Sequence, residues 1–399
     1  MKNLWDQKTA SRLEENSLQL RVYSSQLLGL DSDLVLHGGG NTSVKLRETN
    51  IFGEEEDILY VKGSGRNLAT IDAEGFTPLR LTNIKKLVEL VHISDTMMVR
   101  EQQLAMTNPD APSPSVEALL HAIIPFSWID HTHADAVVTL TNTPKGEKLI
   151  QDVYGDRLLI IPYVMPGFKL ARKVFEITQK VDWQQYEGMI LLNHGIISFG
   201  AEAHESYERM INAVTLAEKF LKKHSSLPKN NINKKAPALH QETLRTLARI
   251  RKKVSNIRGA ASLARLNNSP EARVFSGLPN VKKISTRGPI TSDHLIRTKP
   301  APMYLNQKNV EKSIEDFASK YEAYFDRHTD GKQIRLDSAP RWGVWPEQGI
   351  VSFGGNPDET EIISDIAMHT AKAIQQAENM NSLNCRGWKP ISEDHIFEA

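Results

Sequence analysis

Cysteine is nearly absent from this chain of 399 residues. Cys385 is the only one, so neither an intrachain disulfide nor a cysteine-built zinc site is available, which suits a reducing cytosol. No apolar run approaches the roughly 18 to 20 residues of a membrane span. The opening stretch, MKNLWDQKTASRLEEN, carries mixed charge where a secretory signal has an apolar core. Neither sign of charge dominates: 49 Lys and Arg face 48 Asp and Glu, a formal net charge of +1. That balance argues against nucleic acid or an anionic membrane as partner, and any anion must be bound locally. No GxGxxG stands between a strand and a helix, so no nicotinamide cofactor is expected. With 40% hydrophobic and 24% charged residues, the chain reads as a cytoplasmic globular protein of two or three domains.

What is present centres on Ser127 to Val138, SWIDHTHADAVV, which reads as a buried strand with His131 and His133 two apart. Side chains two apart on a strand share a face, so both imidazoles can converge on one metal ion. The bland alternative is two histidines hydrogen-bonded to their neighbours. A second strand pair, Gly188 to Gly200, breaks at Asn193-His194-Gly195 and places another histidine at a turn between apolar residues.

Upstream, residues 4 to 30 read as one helix. Leu34 to His37 and Val44 onward then read as strands around Gly38-Gly39-Gly40-Asn41-Thr42-Ser43. Asp57 to Lys62 leads into a similar small polar loop, Gly63-Ser64-Gly65-Arg66. Such loops let a backbone approach an anion, though each also fits an ordinary turn, and neither has the helix and lysine of a Walker loop. Residues 81 to 93 form a helical pattern. In Pro112 to His121, Ser115 takes the N-cap place and Glu117 the first turn of a helix on which His121 reads as a packed, satisfied histidine. Strand 158 to 163 and helices 170 to 181 and 203 to 223 complete the first half.

Gly40-Asn41-Thr42-Ser43, Gly63-Ser64-Gly65, Ser115-Val116-Glu117, His131-Thr132-His133 and Asn193-His194-Gly195, in that order, resemble the class II aldolase/adducin-head superfamily. That superfamily includes fuculose-phosphate and rhamnulose-phosphate aldolases and ribulose-phosphate 4-epimerase. The loop wording is most similar to the aldolase part of bifunctional rhamnulose-1-phosphate aldolase/alcohol dehydrogenase proteins, without the dehydrogenase. The resemblance implies a three-layer αβα fold with a central, mainly antiparallel sheet. It implies a divalent metal, most often Zn2+, with Mn2+, Co2+ or Fe2+ as other possibilities, on His131, His133 and His194. It also implies Glu117 as the proton-transfer base, and Gly40, Asn41, Ser43, Ser64, Gly65 and Ser115 around a substrate phosphate. A small phosphorylated ketose would be cleaved to dihydroxyacetone phosphate and an aldehyde, in a homo-oligomer with sites near subunit interfaces. Two alternatives are a 4-epimerase with the same metal site and a non-catalytic adducin-like scaffold. The sequence departs from the family at Val116, where sugar-phosphate aldolases often carry a second serine. The family's catalytic tyrosine has no sure counterpart, with Tyr163 nearest to its place.

The second half is expected to form its own domain. The boundaries read as 1–224, a linker over 225–240, and 241–399. Residues 222 to 265 hold twelve Lys and Arg and one acid, with Leu244, Leu247, Ile250, Val254 and Ile257 as an apolar stripe. That pattern fits a docking helix with a solvated face, and less well an RNA- or membrane-binding one. GIVSFG from Gly349 repeats GIISFG from Gly195, and Asp293-His294 echoes Asp130-His131. A degenerate α/β copy is therefore expected. It would lack the metal site, because Gln348 stands where His194 would recur and Ile296 where a second histidine would.

Overall fold

The computed structural model describes residues 1–225, 238–380 and 385–398, so most of the expected linker lies outside the described residues. Two compact units emerge: Met1–Thr141 with Gly146–Phe220, and Asn142–Lys145 with Leu221–Ala399.

The first unit is built on seven strands: β1 (Asn41–Thr49), β2 (Glu55–Lys62), β3 (Phe76–Arg80), β4 (Trp128–Thr132), β5 (Leu158–Ile161), β6 (Gly188–Leu191) and β7 (Gly195–Gly200). They lie in the order β3-β2-β1-β4-β7-β6-β5, every pair antiparallel except β5 with β6. Its helices are α1 (Gln7–Ser11), α2 (Ser17–Gly29), α3 (Leu81–Val88), α4 (Asp95–Leu104), α5 (Ala118–Ile123), α6 (Asp135–Thr141), α7 (Gly146–Tyr154), α8 (Phe168–Thr178) and α9 (Ala203–His224). Ile129, Ile197 and Phe199 of the sheet share one core with Leu119 and Leu120 of α5 and Val174 of α8. On the other face, Val44 and Trp128 pack with Ala203, and Phe76 packs with Val22. Helices on both faces of a mainly antiparallel sheet make the expected three-layer αβα unit.

Local chemistry corrects several boundaries. The expected N-terminal helix is two helices, because Asp6 caps the first and Asn16 the second through side-chain bonds to Thr9 N–H and Gln19 N–H. Leu34 to His37 is no strand. His37, Gly38 and Gly40 have φ of 37°, 84° and 59°, left-handed values incompatible with a ladder, and the run coils into turns before β1. The histidine strand stops at Thr132. Ala134 to Val138 turns into α6 instead, an apolar run whose periodicity alone cannot separate strand from helix.

The second unit carries a four-stranded sheet of β8 (Leu263–Asn267), β9 (Met303–Tyr304), β10 (Trp342–Trp345) and β11 (Gly349–Gly354), in the order β8-β11-β10-β9. Around it lie α10 (Gln241–Arg258), α11 (Pro270–Ser276), α12 (Val281–Ser285), α13 (Leu295–Thr298), α14 (Val310–His328) and α15 (Pro357–Glu378). The basic helix docks as its stripe requires. Ile250 and Val254 enter the core with Val351 and Phe353, while Arg249 and Lys253 pair with Glu311 and Glu315 of α14 at 3.1 and 2.6 Å. Asp293-His294 does not echo the histidine strand, since it lies in a 3-10 turn, Ser292–His294.

Candidate metal centre

Strand register sets the first relations. Asn41 of β1 pairs with His131 of β4, which pairs on its other side with Ile197 of β7. Alternation then sorts the two faces: Asn41, Ser43, Ile129 and His131 point one way, Thr42 and Asp130 the other. His133 lies one residue beyond β4, so period two alone does not orient it. His194 comes from the β6–β7 turn, where Asn193 takes φ 58° and His194 N–H bonds back to Leu191 O at 3.1 Å.

The three histidines are buried, with one ring nitrogen from each within 4.8 Å of the others. His131 Nε2 and His133 Nε2 stand 3.1 Å apart. Tetrahedral ligands at about 2.0 to 2.1 Å from zinc are spaced by roughly 3.3 Å, so the donor set fits such an ion. The partner on the far side of the ring agrees with this. His131 Nδ1 meets the Ile196 carbonyl at 3.1 Å, which fixes the proton on Nδ1 and bares Nε2 toward its neighbours, the arrangement that a carbonyl behind the ring imposes on a ligating histidine. Gly195 makes room for the rings: a Cβ there would lie 2.9 Å from His131 Cε1 and 2.4 Å from Thr132 O. A Cβ on Gly39 would meet His133 Nδ1 at 3.3 Å and Leu36 O at 2.9 Å.

Glu117 faces this cluster. Its Oε2 is 3.5 Å from His131 Nε2 and its Oε1 3.6 Å from His194 Nε2. It occupies the N-cap position of α5 rather than the first turn, and Ser115, expected at the cap, accepts the Glu117 N–H at 3.2 Å. Asn41 Nδ2 donates to Glu117 Oε2 at 2.6 Å, and Asn41 Oδ1 contacts His121 Nε2. His121 Nδ1 lies 2.7 Å from Ser43 Oγ. Burial holds the His121 ring neutral, with its pKa pushed down to about 3 against the pull of Glu117.

The two glycine loops come together through a cation. Lys62, 2% exposed, donates from Nζ to Gly38 O at 2.7 Å and Arg66 O at 2.8 Å. Ser64 N–H bonds Ser113 O, and Ser115 N–H bonds Lys62 O, so the Ser115 segment lies against the second loop. Gly40 packs on the histidine strand, where a Cβ would be 2.7 Å from His131 O. Gly65 is open, with nothing within 4 Å of its Cβ position and φ of 72°. Of the expected anion set, Gly40, Ser64 and Gly65 belong to these loops and Ser115 lies against the second. Asn41 and Ser43 are turned inward to Glu117 and His121, with Ser43 fully buried. Tyr163 is half-buried, two residues past β5 at the sheet edge; Leu192, beside the His194 turn, bonds Ile161 O at 3.0 Å.

Behind the histidine strand lies a pair that pattern reading missed. Arg21 of α2 and Asp130 are both fully buried and meet at 2.5 Å. Ser206 Oγ reaches the second Asp130 oxygen at 2.6 Å, and Arg21 Nη1 also donates to Ser43 O and Ile129 O. An arginine amid Leu18, Leu20 and Val22 gave no signal that it points inward.

A family model described as Class II Aldolase and Adducin N-terminal domain matches residues 20–221, and one described as Aldolase class II, second domain matches residues 241–399. A protein named Uncharacterized oxidoreductase YuxG from Bacillus subtilis (strain 168) is 31% identical over 372 residues, covering 89% of this chain and 53% of that protein. The chain thus spans about half the length of that curated relative. The N-terminal class II aldolase domain of a conserved protein from Thermoplasma acidophilum shares 39% identity over 55% of this chain and 99% of its own, with a TM-score of 0.51. An l-fuculose-1-phosphate aldolase from Thermus thermophilus aligns at 16% identity over 54% of this chain and 96% of its own, with a TM-score of 0.34.

Proposed function

This chain belongs to the class II aldolase and adducin family, and on that premise we propose that it is a divalent-metal-dependent aldehyde-lyase cleaving a phosphorylated ketose, rhamnulose 1-phosphate-like, to dihydroxyacetone phosphate and an aldehyde. One observation carries the reading: three buried imidazoles with their nitrogens together, and a carboxylate aimed at two of them. A non-catalytic scaffold needs no such convergence of buried polar groups.

His131, His133 and His194 would hold the ion. The bound cation supplies Lewis acidity, polarising the carbonyl and hydroxyl oxygens of the ketose beside the bond that breaks. Zinc suits three imidazoles best, and manganese, cobalt and iron also accept them. Glu117 acts as the proton acceptor and donor at the substrate. Its Oε2 is held by the Asn41 amide, and Oε1, 3.6 Å from His194 Nε2, is assigned as the working oxygen. The phosphate is assigned to the loops around Gly40, Ser64, Gly65 and Ser115, which Lys62 ties together beneath the surface. Tyr163 is assigned as the second proton-transfer group. A homo-oligomer with sites near subunit interfaces belongs to the same reading, as does a cytoplasmic location. Among the described residues no helix is long and apolar enough to cross a membrane. The oxidoreductase in the name of the B. subtilis relative is not carried over, because this chain covers 53% of that protein and shows no dinucleotide-binding motif.

A 4-epimerase is the second reading, because the same three imidazoles and Glu117 would serve it. Val116, 44% exposed with no side-chain donor beside Ser115, leaves the anion of either reading to the other loop groups. Metal-loaded protein incubated with a panel of ketose 1-phosphates and pentulose 5-phosphates separates the two. Dihydroxyacetone phosphate release supports the lyase, and stereochemical inversion without fragments supports the epimerase. Neither reaction across the panel, with less than about 0.1 equivalent of metal per chain, would sink both.

A further inference from the structure

Beside the three-histidine cluster runs a chain of side-chain contacts that ends on the proposed base and whose far members, Ser43 and His121, the proposed chemistry leaves unused: Ser43 Oγ to His121 Nδ1 at 2.7 Å, His121 Nε2 to Asn41 Oδ1, and Asn41 Nδ2 to Glu117 Oε2 at 2.6 Å. All four residues are buried, and His121 and Ser43 show no exposure at all. Each end constrains the next group. A carboxylate only accepts, so Asn41 must offer its amide N–H to Glu117 and turn its carbonyl away. That carbonyl also only accepts, so His121 must donate from Nε2. A neutral ring carrying its proton on Nε2 has a bare Nδ1, so the Ser43 hydroxyl donates to it. Every donor in the chain meets an acceptor, with one polarity from Ser43 to Glu117. An Asn amide is nearly symmetric in shape, so its own packing does not decide which end faces Glu117; the acceptor in front of it and a fixed donor behind it decide together.

We propose that His121 is a positioning residue for Glu117: by donating from Nε2 to the Asn41 carbonyl, it locks the Asn41 amide with its N–H toward Oε2 and so orients the carboxylate on the three-histidine cluster where the substrate would lie. This rests on the reading of Glu117 as the base. His121 sits one helical turn after Glu117, its N–H bonded to Glu117 O at 3.1 Å, so α5 and its cap hold His121 and Glu117 while β1 holds Ser43 and Asn41, the two elements alternating along the relay. Sequence spacing alone presents His121 as a satisfied core histidine. Its distinguishing mark is that the groups satisfying it lead to Glu117.

His121→Phe keeps the ring and removes the donor, whereas His121→Gln restores an N–H where Nε2 stood. His121→Phe should lower kcat roughly 10- to 100-fold, the usual cost of losing an orienting partner, with KM and metal per chain unchanged. His121→Gln should recover most of that loss. Because both act through one amide, Asn41→Ala with His121→Phe should be no slower than Asn41→Ala alone. In the metal-free protein, 15N spectra of histidine-labelled chain should report His121 protonated at Nε2, a readout needing no substrate. An unchanged kcat in His121→Phe, losses that multiply in the double variant, or a proton on Nδ1 would overturn the proposal. Should His121→Phe not fold, the Gln variant and the tautomer decide. If Glu117→Gln turns over normally, the base reading fails; if Glu117→Gln is inactive while His121→Phe is intact, only the positioning role fails.

Discussion

The two sheets can be laid on one another by register, and they differ where the chemistry is. In the first, β7 lies between β4 and β6, Ile197 pairs with His131, and β5 joins β6 in parallel. In the second, β11 lies between β8 and β10, Val351 pairs with Leu266, and β9 joins β10 in parallel. The turns match too. Asn193 and Glu347 take φ of 58° and 64°, and His194 and Gln348 N–H each bond back to the last strand residue, Leu191 or Trp345. Ser198 Oγ donates to Ser206 O, and Ser352 Oγ to Thr360 O. Both strand pairs lead into helices of 22 residues, α9 and α15. The order of the C-terminal sheet thus matches the β4-β7-β6-β5 half of the N-terminal one, and among the described residues no strand of it matches β1 to β3. We read it as a degenerate repeat. Leu266, Asn268 and Gln348 occupy the places of His131, His133 and His194, so the hairpin and its helix are a frame that stands without the metal site.

The largest effect should come from breaking that difference. His131→Ala removes one of three imidazoles, and metal per chain by elemental analysis should fall by about tenfold or more, with turnover lost. Gln348→Ala, the matching change in the other turn, should leave both untouched. Metal retained in full by His131→Ala would mean the cluster is an ordinary buried hydrogen-bond group. Glu117→Gln separates chemistry from binding: metal content should hold while kcat falls about 10²- to 10⁴-fold, the range for a lost general base. A normal rate removes Glu117 from that role.

Much of this frame was legible in the sequence. The repeated GI-x-SFG blocks announced the hairpins, because a strand, a turn and an amphipathic helix each leave a local pattern. The ordered loops likewise announced the family and the histidines. What stayed hidden was set by tertiary contact. Asp293-His294 matched Asp130-His131 by letters, yet the strand that stands beside β11 where β4 stands beside β7 is Leu263–Asn267, which starts at the end of a stretch read for its charge. Asn41 and Ser43 were expected to face a phosphate and instead face Glu117 and His121, since the pleat of β1 points them under α5. Nothing in the pattern around Arg21 marked it as buried, and only packing shows its partner.

That buried pair gives the next contrast. Arg21→Met should destabilise the fold by about 3 to 5 kcal/mol in urea denaturation, because it strands the Asp130 carboxylate in the interior. Adding Asp130→Leu should recover most of the loss; failure to do so would show that the pair itself, and not the orphaned charge, supplies the stability. Next in size is a glycine pair. A Cβ on Gly195 would lie 2.4 Å from Thr132 O, and one on Gly349 2.0 Å from Asn267 O. Alanine at either should destabilise by roughly 1 to 3 kcal/mol. Only Gly195→Ala should also weaken metal binding, because its Cβ would also press on the rings of His131 and His133, at 2.9 and 3.2 Å.

The smallest effect tests the repeat at the place of Asp130 itself. Ser198 pairs with Asp130 and Ser352 with Arg265, so Arg265 is the topological counterpart of the buried acid. Its charge has moved to the surface. Arg265 Nη1 meets Glu361 at 3.1 Å with side chains 48% and 60% exposed. Water screens such a pair and ordering two long side chains offsets its attraction, so Arg265→Ala should change stability by about 0 to 1 kcal/mol. Salt should erase what remains, whereas the cost of Arg21→Met should persist at high ionic strength, because the desolvated carboxylate is beyond the reach of counterions. Equal losses at the two positions would mean that the second sheet buries its charges as the first does, and that its likeness extends past the frame into the interior network behind the histidine strand.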